Sequence, residues 1–156
     1  MYTGRVTFLM EREVQEYISY LHNVKHTSNN TEMSYKRDLL KVCHFMQERG
    51  ITSVSAVTEQ DLKAYIHALE NQKLAAATVS RNIASIKAFF FYMFSEGKIQ
   101  NDAALCLKAP KIEKKVPEIL TMGEVSALLE QANGDSPKEI RDKAMLELLY
   151  ATGIRV

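Results

Sequence analysis

Three observations predict an all-α fold for this chain of 156 residues. Apolar residues recur at helical spacing through every long segment. Segment ends carry capping side chains and glycine stops, and no segment shows strand alternation of useful length. Four helices with short connections predict a compact bundle, followed by a linker and two further helices.

Residues 8–24 set Val14, Ile18 and Leu21 on one stripe with Tyr17 beside them, the spacing of a first helix. The stretch from Asn23 to Asn30 is polar and loop-like. Thr31 is placed to cap a second helix running to about Arg49, with Gly50 as its stop. Thr58-Glu59-Gln60-Asp61 repeats the start signal, and Leu62, Tyr65, Ile66 and Leu69 form the inward stripe of a third helix. A fourth runs from about Ala75 to Glu96 and is closed by Gly97. Its inward stripe is Val79, Ile83, Ile86, Phe90, Met93 and Phe94, and its C-terminal half is apolar nearly all round, which predicts central burial.

The composition then changes. Ala109-Pro110-Lys111-Ile112-Glu113-Lys114-Lys115-Val116-Pro117 is bounded by two prolines and rich in lysine, so it reads as an extended linker. Thr121 with Glu124 forms a capping box for a helix to about Ala132, and Asn133 to Pro137 is a turn. Ser136, Pro137 and Glu139 open a last helix that ends at Thr152-Gly153. Two helices are too little to bury a core, so this module either packs on the first or lacks its main body. Because Ile154-Arg155-Val156 begins something new after the Gly153 stop, a truncated protein is the expectation.

A hydrophobic fraction of 46% with 25% charged residues belongs to a soluble globular protein. No run approaches the length needed to cross a bilayer, so no membrane partner is expected. Met1-Tyr2-Thr3-Gly4-Arg5 lacks the layout of a signal peptide, and a cytoplasmic location follows as the expectation. Cys43 and Cys106 have no partner spacing and no accompanying histidine pattern, so they read as a buried thiol and a loop thiol rather than a zinc site. The net charge of +1 is uninformative. Residues 1–109 carry 13 Lys/Arg against 11 Asp/Glu, and residues 110–156 carry 7 against 8, so any nucleic-acid surface must come from charge arranged on particular faces.

Two helices offer such faces. Wrapping residues 33–49 at helical pitch gathers Tyr35, Leu39, Val42, Cys43 and Met46 on one side and Ser34, Arg37, Lys41, His44 and Glu48 on the other. The second group is either an ordinary solvated face or a stripe for phosphates. On the fourth helix Arg81, Ser85, Ala88 and Tyr92 fall on the outer side, with Thr78, Ser80, Asn82 and Lys87 flanking them. This is either a polar helix start or a helix end suited to a major groove, where Arg reads guanine and Asn reads adenine. Lys108, Lys111, Lys114 and Lys115 in and beside the linker could track a DNA backbone.

Taken in order, these segments resemble the tyrosine site-specific recombinases of the bacterial Xer and phage-integrase family. Thr31-Glu32-Met33-Ser34-Tyr35-Lys36-Arg37-Asp38-Leu39 is similar to the family's early T-x-x-S-Y-x-x-D-L helix. The run from Thr78 to Phe90 resembles its T-x-x-R-x-[LI]-[AS]-x-[LI]-[KR]-x-F-[FY] helix. Ala109-Pro110-Lys111 and Val116 to Thr121 resemble its interdomain linker and catalytic-domain start, and Arg141 to Val156 its first catalytic box. The resemblance implies a four-helix, SAM-like core-binding domain over residues 1–108, a linker over 109–117 and the first part of a catalytic domain over 118–156. Asn101-Asp102-Ala103 stands where members carry Asn-Pro-Ala, a loss of proline expected to loosen the chain ahead of the linker. Val116-Pro117 stands where they carry Leu-Pro.

The same resemblance implies the chemistry. A tyrosine attacks phosphorus and leaves a 3′-phosphotyrosyl link, with no metal or cofactor; arginines, a lysine and histidines stabilise the charged transition state and move protons. Arg155 matches the first catalytic arginine, whose fork suits a phosphate. None of His22, His26, His44 or His67 has an arginine three residues on, as the family's second box requires. All seven tyrosines precede Arg155, whereas the family's nucleophile lies near the end of the enzyme. The expected function is therefore that of a DNA-binding portion that does not itself cleave. It would hold the half-site of duplex DNA through Ser34, Arg37, Lys41, Thr78, Ser80, Arg81, Asn82, Ser85, Lys87, Lys111, Lys114 and Lys115. Other recombinase protomers would be partners of the full-length protein in a synaptic assembly. The alternative is a helical interaction module that pairs with an intact recombinase.

Overall fold

A computed structural model describes residues 9–72, 74–111 and 118–154 of the chain. Among these residues every regular element is helical: α1 Leu9–Asn23, α2 Asn29–Glu48, α3 Glu59–Asn71, α4 Ala76–Ser95, α5 Met122–Glu130 and α6 Pro137–Thr152, with a single 3-10 turn at Val54–Ala56. The all-α class expected from the apolar spacing is the observed one. Contacts divide the chain into two compact units, Met1–Glu113 and Lys114–Val156.

In the first unit α2 and α4 are the central elements, since each packs against the other and against both α1 and α3. The longest side chains of their inner stripes, Leu39, Met46, Ile83, Ile86 and Met93, are almost wholly withdrawn from water, as are Val14 of α1 and Leu62 of α3. Burying a side chain of this size contributes roughly 1.5–3 kcal/mol. The buried cluster begins at Met10, ends at Leu107 and contains Leu39, Val42, Cys43 and Met46 of the inward residues expected on α2, with Tyr35 partly buried against it. Tyr17 lies edge-on to Phe89 with ring centroids 5.5 Å apart, which joins α1 to α4.

Local chemistry sets the ends of the helices. Thr58 and Asp61 close a capping box at α3, while Gly50 and Gly97 follow α2 and α4 with left-handed φ values of 77° and 68°. The α2 cap differs from the expected one. Ser28 takes that place, its hydroxyl accepting the Thr31 backbone N–H at 3.3 Å, so Thr31 lies inside the first turn. The 3-10 turn was not foreseen. It brings Val54 and Val57 into the core between α2 and α3.

The expected burial of α4 is corrected. Its C-terminal half is not buried all round, because Phe91 is 65% exposed and Phe94, assigned inward from the sequence, 47% exposed. Towards its end α4 keeps Phe89, Phe90 and Met93 for the core and leaves Phe91 and Phe94 on its outer side. After α4 the chain makes a turn at Asp102. Asp102 Oδ1 accepts the Ala104 backbone N–H at 2.8 Å, and this Asx-type turn folds Ala104 and Leu107 onto the core.

The second unit holds α5 and α6, which contact each other. Both open with the expected capping boxes, Thr121 with Glu124 and Ser136 with Glu139, and α6 closes on Gly153 at φ 63°. Among its described residues only Ala132 is a buried apolar side chain, and Ile119, Met122, Ile140, Met145 and Leu148 are exposed.

Candidate nucleic-acid interface

The two faces singled out in the sequence belong to adjacent helices, since α2 packs on α4. On α2, Arg37 and Lys41 are exposed and Ser34 is half-buried. Among the described residues neither Arg37 nor Lys41 is within ion-pairing distance of a carboxylate. Four other basic groups of this unit are matched: Arg12 lies 3.7 Å from Glu16, Lys63 2.7 Å from Glu59 and Arg49 3.7 Å from Asp61, and Lys98 also meets Glu16. Arg37 and Lys41 thus stand as two exposed cations one turn apart on α2.

Arg81 extends that face onto α4. Its Nη2 donates to Asp38 Oδ1 at 3.2 Å, and its side chain remains 40% exposed. Asp38 is an acid at a buried position, 1% exposed, and Arg81, Lys41 and Arg37 all act on its carboxyl. Burial raises its pKa and is the largest influence, outweighing the attraction of the three cations. Arg81 thus meets the buried carboxyl directly, while Arg37 and Lys41 act on it by charge alone.

Other residues proposed for the interface have different surroundings. Asn82 is 2% exposed; its Nδ2 donates to the Thr78 carbonyl at 2.9 Å and its Oδ1 accepts the Tyr65 hydroxyl at 3.3 Å. Ser85 is fully buried, its hydroxyl donating to the Asn82 carbonyl at 2.8 Å. Both side chains are therefore internal, where the sequence placed Asn82 on a flank and Ser85 on the outer side of α4. Lys87 is half-buried and its Nζ donates to the Leu107 carbonyl at 3.3 Å, tying α4 to the returning chain. Thr78 and Ser80 are half-buried on the first turns of α4, and Lys111 is exposed. Lys114, Lys115 and Arg155 lie outside the described residues.

Sequence reasoning missed Asp38 as a site residue. Its signal was present: an acidic residue directly before Leu39, on the side of α2 that carries the core stripe.

With this geometry in place, the relatives are informative. The model of the phage integrase N-terminal SAM-like domain matches residues 14–97, more than half of the chain. The chain belongs to the phage-integrase family of tyrosine recombinases. The matched residues run from α1 to the turn after α4 and so include both faces described above. The family member XerC of Roseiflexus castenholzii is 36% identical over 94% of this chain and 47% of its own length. XerD of Oceanobacillus iheyensis is also 36% identical, over 95% of this chain and 50% of its own length. Equal identity to both means that the match favours neither kind of Xer recombinase. The chain spans about half the length of the curated relatives it matches. The Tn1549 transposon integrase, solved in complex with circular intermediate DNA, shares the fold with a TM-score of 0.63 at 20% identity, covering 92% of this chain and 47% of that one.

Proposed function

We propose that this chain is the DNA-holding portion of a tyrosine site-specific recombinase, and that it binds one half of a recombination site in duplex DNA. The observation that carries this reading is the grouping of Arg37, Lys41 and Arg81 on two helices that pack together, α2 and α4, with Arg37 and Lys41 exposed and Arg81 40% exposed. The DNA complex of the Tn1549 integrase, a protein of the same fold, supports it. Ser34, Thr78 and Ser80 add hydroxyls along the same two helices, and Lys111, Lys114 and Lys115 extend the contact to the backbone through the linker. Residues 1–108 form the core-binding domain in this reading, 109–117 the linker and 118–156 the first part of a catalytic domain acting in the cytoplasm.

In the full-length protein a tyrosine beyond Arg155 attacks phosphorus, and Arg155 holds the scissile phosphate while the leaving 5′ oxygen takes up a proton. Residues 1–156 alone supply the grip without the nucleophile, and they bind DNA without cutting it. Titration of the chain against labelled duplexes at two salt concentrations tests the reading. The expected result is binding whose log K falls linearly with log salt; each phosphate contact removed by mutation lowers the slope by about one. Absence of binding at the lower salt would discard it.

A second reading has its own observation, the exposed Phe91 and Phe94 on α4. A helical surface of this kind suits pairing with an intact recombinase, and association that needs no DNA and ignores salt would favour it.

A further inference from the structure

Asp38 is poorly explained by stability. Its carboxyl is buried, its Oδ1 has the single Arg81 hydrogen bond, and its Oδ2 is enclosed with no hydrogen-bond partner among the described residues. A buried ion pair with an unsatisfied oxygen generally holds a fold together less well than apolar side chains of the same volume. What such a pair does provide is a fixed position. Asp38 is backed by Asn82, which acts on its carboxyl and is itself held by Tyr65 and by the Thr78 carbonyl. The anchor therefore draws on three helices and has little freedom to move.

Arg81 is tied to that anchor by one of its five N–H groups, and this is its only hydrogen bond among the described residues. The remaining donors of a planar, permanently charged fork stay uncommitted on a side chain that is partly in water. A loose arginine follows whichever phosphate is nearest. A tethered one presents its donors at a set place, which is the requirement for reading a guanine edge.

We propose that Asp38 is a positioning residue that clamps Arg81 for base readout, so that the pair supplies sequence discrimination while Arg37 and Lys41 supply affinity. This rests on the DNA-binding reading above. Selection from a pool of randomised duplexes with the chain of residues 1–156 gives a preferred duplex, and fluorescence anisotropy then compares it with a scrambled one. Asp38→Asn is expected to reduce the ratio of the two affinities about tenfold. Its affinity for the scrambled duplex should not fall, because a negative charge has been removed from among three cations. Arg81→Lys keeps the charge without the fork and should lose the ratio in the same way.

A merely structural role predicts instead that both affinities fall together with the melting temperature, and that result overturns the proposal. So does an unchanged ratio in Asp38→Asn. If that variant does not fold, Arg81→Lys decides alone, and a kept ratio again overturns it. Wild-type binding without any preference also removes the proposal but leaves DNA binding standing. No binding of any duplex by the wild type removes both.

Discussion

Asn82 illustrates how one side chain can be polar for internal reasons. It bridges Tyr65 of α3 and the Thr78 carbonyl of α4 inside the core. Replacing it with alanine leaves the Tyr65 hydroxyl buried without its partner, a loss of about 1–3 kcal/mol. We expect Asn82→Ala to lower the thermal midpoint measured by circular dichroism, while the affinity of the folded protein for a scrambled duplex stays as in the wild type; a weakened affinity for that duplex in fully folded protein would return Asn82 to the interface. Helical pitch alone put Asn82 and Ser85 on a flank and the outer side of α4. The burial of Asn82 depends on what α2 and α3 bring opposite it, namely Asp38 and Tyr65, and no window along one helix contains that. Arg37 and Lys41 were legible because an exposed cation opposite an apolar stripe needs no partner to be placed.

At the scale of elements, the most readable features were those decided within four residues. The boxes at Thr58, Thr121 and Ser136 form as their sequences require, because cap and receiver lie on one turn. The misplaced start of α2 has the same origin: Ser28 and Thr31 are both good caps, and the earlier one captures the later one's N–H. The α3 box yields a prediction with a pH sign. The Thr58 hydroxyl, followed by its backbone N–H, holds the Asp61 carboxyl below its ordinary value of 3.8. The folded value is thus lower than the unfolded one, so this stabilisation is present above the unfolded value and is lost as pH falls through the folded one. Thr58→Ala should cost about 1 kcal/mol near neutrality. In denaturant titrations the gap between variant and wild type should narrow below pH 3.8 and remain level above it.

For the whole molecule, the distribution of apolar surface is as telling as its amount. The buried cluster lies entirely between Met10 and Leu107, whereas α5 and α6 carry Met122, Leu128, Ile140, Met145 and Leu148 in the open. A chain ended at Glu113 should therefore keep the main cooperative transition at the same temperature, and it should bind less of a hydrophobic dye such as ANS than residues 1–156 do. A midpoint that drops on shortening would show that the second unit contributes to the core. Two modules were legible because capping boxes and a proline-bounded lysine stretch mark their borders. The exposure of Phe91 and Phe94 was not, since aromatic residues on a central helix read as core until the number of packed neighbours is known.

The two cysteines differ in a way that turns the protein into its own reporter. Cys43 is sealed inside the bundle, where burial pushes its thiol up to about 12, so it offers almost no thiolate at neutral pH. Cys106 stands exposed in the turn after α4, one residue before the carbonyl that holds Lys87. A maleimide dye added to the native wild-type chain will consequently attach at a single address, at the root of the linker, with no cysteine engineering. Energy transfer from that address to a labelled duplex end would show which way round the protein sits on its DNA.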